Sequence, residues 1–197
     1  MSSLTLLICS QKSVNIFQFK SNGYLWAVKY NGEPDNELHR VFSEWNNPLW
    51  LDTFFTKHFQ DLNNYFKVTS IEQAIDDTIE DADKLQAVFL DFEGEQEDLE
   101  KLFKPLDNAV TSPKEMEKMK ARGEKVNRHD SWLRIYAIRL TDGKYIITGG
   151  TIKLTLEMKD RKHTQNELIK LDKVRRFLIE EGIVDDEGFI DYLAEIS

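Results

Sequence analysis

Arg134, Tyr136 and Lys153 carry the donors that a bound anion needs: a planar guanidinium, a phenol and an ammonium. Trp132 to Leu140 alternates, which predicts a strand with Leu133, Ile135 and Ala137 on one face. Trp132, Arg134, Tyr136 and Ile138 take the other face. Thr151 to Met158 predicts another strand, with Ile152, Leu154, Leu156 and Met158 on one side and Lys153 and Thr155 on the opposite side. If the buried faces coincide, Arg134, Tyr136, Lys153 and Thr155 form a basic, hydroxyl-bearing platform. The basic run Lys159, Arg161, Lys162 leads to His163, beside a predicted helix start. The positive end of a helix attracts anions and favours a neutral imidazole, so His163 can serve as a base near neutral pH. Each residue has a plainer reading. Arg134 can pair with an acid from residues 72–100, Arg139 on the opposite strand face reads as structural, and a solitary histidine is commonly an ordinary surface residue.

The elements that must position these residues follow from local signals. Asp142-Gly143 predicts a hairpin turn into a strand at Lys144 to Thr148, and Gly149-Gly150 predicts a bend or a close backbone approach. Thr164-x-x-Glu167 fits a capping box, and the helix after it carries Leu168, Leu171, Val174 and Leu178 inward as far as Gly182. An acidic terminal helix follows over 185–197. Upstream, Val14 to Phe19 and Tyr24 to Tyr30 predict a hairpin. Asp35 or Asn36 caps a helix through Leu38, Val41, Phe42 and Trp45, and Leu49 to Phe59 predicts a second. Trp45 to Phe66 is dense in aromatics, either core or a partner groove. Ser70-x-x-Gln73 starts a helix to about Leu90, with Ala74, Thr78, Ala82 and Leu85 inward. Asp76, Asp77, Glu80, Asp81 and Asp83 lie on its other face, which reads as solvated or as a magnesium site. Residues 108–130 predict a linker or loop. Lys114, Lys118, Lys120, Arg122, Lys125 and Arg128 make it a phosphate-contacting arm, or a solvated short helix over Glu115–Arg122.

The net charge of -9 speaks against polyanionic ligands until its distribution is examined. Residues 1–116 balance at -10, residues 117–176 at +8 and residues 177–197 at -7. A basic segment is thus framed by acidic ones. Cys9 is the single cysteine, and His39, His58, His129 and His163 have no zinc-ligand spacing, so neither a disulfide framework nor a structural metal is expected. The first residues make a poor signal peptide and no apolar run is long enough for a membrane span, which predicts a cytoplasmic protein. The expected fold class is α+β. A small antiparallel sheet packs against several helices, with an acidic helical segment between an N-terminal hairpin and a C-terminal sheet-and-helix unit. Residues 1–197 form one domain, with sub-lobes 1–107 and 131–197 joined by the basic loop 108–130.

The stretch LRIYAIRLTDGKYIITGGTIKLT, followed by basic residues and the helix NELIKLDKVRRFL, resembles the RelE/HigB superfamily of small bacterial toxins. The arginine-bearing strand matches at Leu133-Arg134-Ile135-Tyr136 and the lysine strand at Ile152-Lys153-Leu154. The resemblance implies an antiparallel sheet with a basic concave face for ribosome-associated messenger RNA. It also implies metal-independent strand cleavage, by attack of a 2′-hydroxyl on the neighbouring phosphate, with no cofactor. Arg134 and Lys153 would clamp the phosphate and His163 or Tyr136 would move protons; Tyr136 could instead stack a base. Lys159, Arg161, Lys162 and Arg128 would contact the RNA, and an antitoxin protein or the ribosome would be a partner. The chain departs from the family in its greater length, its acidity and the lack of a basic or aromatic terminal strand. Two other readings stay open. One is a non-enzymatic interaction module using the acidic helices and the region Trp45 to Phe66. The other is a carboxylate metal enzyme using Asp76, Asp77, Glu80 and Asp81.

Overall fold

Alternation in the N-terminal segment produces a hairpin in which Val14–Gln18 (β1) pairs antiparallel with Leu25–Tyr30 (β2). The structure, a computed structural model, describes residues 14–18, 23–92, 96–106, 116–124, 129–141 and 143–196. Cys9, Lys114, Lys125, Arg128 and Asp142 lie outside them. Four more strands complete a single sheet: Phe103–Pro105 (β3), Met116–Arg122 (β4), Leu133–Leu140 (β5) and Tyr145–Ile152 (β6). Their order is β1-β2-β6-β5-β4-β3. The fold is α+β, but the sheet is mixed rather than antiparallel, because β2 runs parallel to β6 through Leu25↔Tyr145, Trp26↔Ile146 and Ala27↔Ile147. Parallel neighbours need a long crossover, and everything between Tyr30 and Tyr145 serves as one. The hairpin and the C-terminal strands therefore share one sheet instead of occupying separate sub-lobes.

Helices cover both faces. Glu37–Trp45 (α1), Pro48–Lys57 (α2) and the short Phe59–Asp61 (α3) lead through a π-helical turn at Leu62–Phe66 to Ile71–Asp91 (α4) and Gln96–Leu102 (α5). Lys162–Glu180 (α6) and Asp186–Ile196 (α7) follow the sheet. The caps are local chemistry: Asn36 accepts from His39 N, and Ser70 accepts from Gln73 N. The alternation of β5 separates two cores. Leu133, Ile135 and Ala137 pack with α1, α2 and α4, while Tyr136, Ile138 and Leu140 pack with α6 and α7. A central strand sealed on both sides is buried along its length, as β6 is. Trp132, one residue before β5, turns into the α4 core instead of following Arg134 and Tyr136.

Four local expectations change. Gly149-Gly150 does not break the strand: β6 continues through both glycines, and the irregularity is a bulge, with Tyr136 opposite Gly149 and Ala137 opposite Ile147. Beyond Ile152 the chain leaves the sheet, so the predicted strand to Met158 is replaced by an irregular turn and a 3-10 turn at Met158–Asp160. The capping box is also displaced. Helix α6 begins at Lys162, and the Thr164 hydroxyl donates to the carbonyls of Met158 and Arg161. Finally, the basic segment expected as loop or short helix contains β4, because Met119 and Ala121 alternate with Lys118, Lys120 and Arg122 and the free edge of β5 pairs with them.

Gly150 is where the sheet tolerates no side chain. A Cβ there would stand 2.8 Å from the Arg134 carbonyl oxygen and 3.1 Å from both methyls of Val41. The carbonyl is held by the ladder and cannot swing aside. Gly150→Ala is expected to lower stability by about 1–3 kcal/mol, as overpacking does, measured by chemical denaturation.

Candidate functional site

The sheet face that carries α6 is only partly covered. Helix α6 lies over β6 and β5 and reaches β4 through the Lys118–Asp172 ion pair at 2.7 Å, and farther along β4 and β3 a cavity opens on that side among the described residues. The alternation of three neighbouring strands points cations onto the open area: Lys104 from β3, Lys120 and Arg122 from β4, and Arg134 from β5. The register sets like charges against each other, with Lys104 opposite Lys120 and Arg122 opposite Arg134. Directly opposed like charges destabilise a strand pair by a few tenths of a kcal/mol to about 1 kcal/mol.

These residues line a cavity of about 600 Å³ together with Tyr136, Lys153, Glu157 and Lys159. Leu102, Leu106, Leu156, Met158 and Leu168 supply its apolar surface. Two of the cations have acid partners: Arg122 with Asp130 at 2.9 Å, and Lys159 with Glu157 at 2.7 Å. The other four donate only to carbonyl oxygens among the described residues. Lys104 Nζ reaches Glu100 O at 3.0 Å and Lys120 Nζ reaches Leu106 O at 3.0 Å. Arg134 Nη1 reaches Ser131 O at 2.8 Å and Leu133 O at 2.6 Å. Lys153 Nζ reaches Thr155 O at 2.9 Å and Leu156 O at 2.5 Å. Carbonyl dipoles orient a cation without neutralising it. Burial and the neighbouring Arg122 guanidinium accordingly bring Arg134 down to about 10, and burial with Arg134 and Lys120 lowers Lys153. Arg134 remains cationic at neutral pH, and both side chains sit where an anion would relieve the repulsion.

The Tyr136 hydroxyl is 1 % exposed at the residue level and has no hydrogen-bond partner among the described residues. Burial pushes its phenol well above the usual range, so it is a donor and not a base. Arg134, Tyr136 and Lys153 thus line one cavity, Lys153 from the turn beyond β6 and not from a strand, and Lys159 joins them.

The remaining expected site residues are elsewhere. His163 lies against α2, its ring 5.2 Å from Phe54 and 4.7 Å from His58. Its Nε2 donates to the Ile152 carbonyl at 3.1 Å. Burial and then His58, not the helix start, bring it down to about 4. It does not line the cavity, because the chain beyond Ile152 turns the start of α6 toward the α2 side. Arg161 is committed to Asp61, with Nε to Oδ2 at 2.7 Å and Nη2 to Oδ1 at 2.6 Å. Lys162 is exposed on the first turn of α6 and is not among the residues lining the cavity, and Arg128 falls outside the described residues. Arg139 pairs with Glu100 at 2.5 Å, in keeping with a structural role.

Two buried polar clusters also correct the sequence reading. The acidic face of α4 is not wholly solvated: Asp77 and Asp81 are buried against the segment that enters β5. Asp77 Oδ2 meets His129 Nε2 at 3.1 Å, and Ser131 Oγ donates to Asp81 Oδ2. Trp132 Nε1 donates to Thr78 Oγ1 at 2.9 Å and its ring stacks on His129. Among the described residues no three His, Cys, Asp or Glu side chains are grouped to hold a metal ion, and Asp77 and Asp81 each give their Oδ2 to this network. The second cluster fills the gap where β2 and β6 part after Ala27. Lys170 Nζ bridges Glu37 at 2.8 Å and Glu167 at 3.0 Å, Arg40 holds Glu37, and Tyr30 donates to Thr148 O at 2.8 Å. Gly149 makes room, because a Cβ there would fall onto Glu167 Oε2.

Arg134, Tyr136, Lys153 and Lys159, expected from the sequence as site residues, line the cavity, as do Lys120 and Arg122 from the expected phosphate-contacting arm. The period-2 run Lys118-Met119-Lys120-Ala121-Arg122 was the signal that they belong to a strand. Lys104 carried no signal, since a three-residue edge strand has no periodicity to read. Among the described residues no helix is long and apolar enough to cross a membrane. Comparison with known proteins finds no matching family model, no matching curated protein and no matching solved structure.

Proposed function

We propose that this protein binds single-stranded RNA through the cationic cavity on β3, β4 and β5, as a cytoplasmic toxin-like protein of bacterial or phage origin. One observation carries the reading. Like-charged residues stand opposite each other in register, and four cations around one cavity have only carbonyl partners among the described residues. Such an arrangement opposes folding slightly and rewards a polyanion. It directs RNA to one face of a chain whose net charge is -9. The resemblance of the Arg134 and Lys153 strands to the RelE/HigB toxins supports RNA as the polyanion. An antitoxin partner belongs to the same reading.

Binding stands ahead of cleavage. Attack by a 2′-hydroxyl needs a proton acceptor near the phosphate. The Tyr136 phenol keeps its proton, His163 faces α2, and Glu157, the carboxylate on the cavity lining, is held by Lys159. Arg134 and Lys153 can still stabilise charge on a phosphorane. The interaction-module reading has less to stand on, because Trp45 and Phe55 are core, which leaves Leu49, Phe59 and Tyr65 as the exposed part of the aromatic region.

The test is a titration of the full chain with short single-stranded RNA at increasing salt. Four neutralised phosphates give an expected slope of log K against log salt of about -3. Absent binding, or binding indifferent to salt, overturns the proposal. Growth arrest on expression in bacteria, with loss of messenger RNA, would add cleavage to it.

A further inference from the structure

We infer that the cavity is built for a nucleoside phosphomonoester, with the phosphate taken by Arg134, Lys153 and the Tyr136 hydroxyl and the nucleoside lying on the apolar wall. The shared chemistry can come from a free mononucleotide or from the phosphorylated end of an RNA. For the RNA end, the inference rests on the RNA-binding reading above.

Size is the first reason. A cavity of about 600 Å³ matches one small-molecule ligand, the size of a single nucleotide or of the terminal nucleotide of a strand. Charge is the second. Arg134 and Lys153, like Lys104 and Lys120, are held by carbonyls with no carboxylate partner among the described residues. A phosphodiester brings one negative charge to a point, whereas a monoester brings nearly two at neutral pH. Arg134, Tyr136 and Lys153 all line this one cavity.

The third reason is Tyr136 itself. Buried hydroxyls are almost always partnered, yet this one, on a residue that lines the cavity, has no partner among the described residues. A monoester oxygen is an acceptor of the right kind. Finally, Leu102, Leu106, Met158 and Leu168 give the cavity an apolar side that phosphate alone would not use. Leu156 at the same cavity is 78 % exposed, available to close over a base.

The experiment uses three versions of one eight-nucleotide RNA: 5′-phosphorylated, 3′-phosphorylated and unphosphorylated. Adenosine monophosphate and adenosine serve as competitors, and the full chain is followed by fluorescence anisotropy. One phosphorylated RNA is expected to bind about tenfold tighter than the unphosphorylated RNA, as one added charge-assisted contact gives. The monophosphate should compete and adenosine should not. The preference should grow between pH 5 and pH 7, as the monoester gains its second charge. Tyr136→Phe should shrink the preference severalfold at an unchanged melting temperature. Equal binding of all three RNAs, with the salt dependence intact, overturns this inference and leaves the RNA-binding reading standing. Binding of the monophosphate without binding of any RNA does the reverse. If no probe binds, both fall.

Discussion

A protein carrying Arg134→Met and Lys153→Met together is expected to lose RNA affinity about a hundredfold at physiological salt while melting at the same temperature or higher. Each side chain offers charge-assisted hydrogen bonds worth about 1.5–3 kcal/mol to a phosphate, and two such losses amount to two orders of magnitude or more. The fold should survive because of what the residues do in the free protein. Arg134 Nη1 donates to the carbonyls of Ser131 and Leu133, and Lys153 Nζ to those of Thr155 and Leu156, so neither cation ties distant parts of the chain together. Methionine keeps most of the apolar stem and removes the charge. With Arg134 gone, Arg122 no longer faces a like charge across the ladder, and Lys153 no longer adds to the repulsion. Reduced binding combined with retained or raised stability is the signature of a ligand site, because a structural ion pair would lose both. Anisotropy titration and thermal unfolding of the same preparation decide it. Undiminished RNA binding by the folded double variant would remove Arg134 and Lys153 from the site.

The second large effect concerns stability and pH. Glu167 is 5 % exposed, its Oε2 has no hydrogen-bond partner among the described residues, and burial raises its carboxyl to about 7 from an ordinary 4.5. The neighbouring Lys170 works in the opposite direction and does not overcome burial. The folded protein therefore holds a proton that the unfolded chain releases at lower pH. Stability contributed by protonated Glu167 is fully present below about pH 4.5 and falls as pH rises toward 7. A shift of this size corresponds to roughly 3 kcal/mol across that window. Glu167→Gln keeps the shape and removes the ionisation. It should flatten the pH dependence between 4.5 and 7 and gain up to roughly 3 kcal/mol at pH 8, in denaturant titrations of both proteins. Lys170 keeps its bond to Glu37 at 2.8 Å, so the variant leaves that ammonium partnered. Parallel pH profiles for the two proteins would assign the cluster's proton elsewhere.

What this chain says through its sequence is what neighbours along it can settle. Ser70 three residues before Gln73 makes a helix start, because the hydroxyl reaches the third backbone amide. Gly143 at φ +87° makes a hairpin turn, and the alternation from Leu133 to Leu140 makes a strand with two distinct faces. These are short-range consequences of backbone geometry, and they sufficed to put Arg134 and Tyr136 on one surface. Which charges on that surface would remain uncompensated depended on partners brought from far away. Asp61 claims Arg161 from 100 residues off, Glu37 claims Lys170 from 133, and Asp77 claims His129 from 52. His163 was drawn to α2 for the same kind of reason, since the turn after Ile152 answers to packing and not to the capping pattern around Thr164. The parallel pairing of β2 with β6 and the partial cover of α6 over the sheet were likewise decided by tertiary contacts. A side chain's type is written in the chain, but whether its charge is left uncompensated is a property of everything that folds around it.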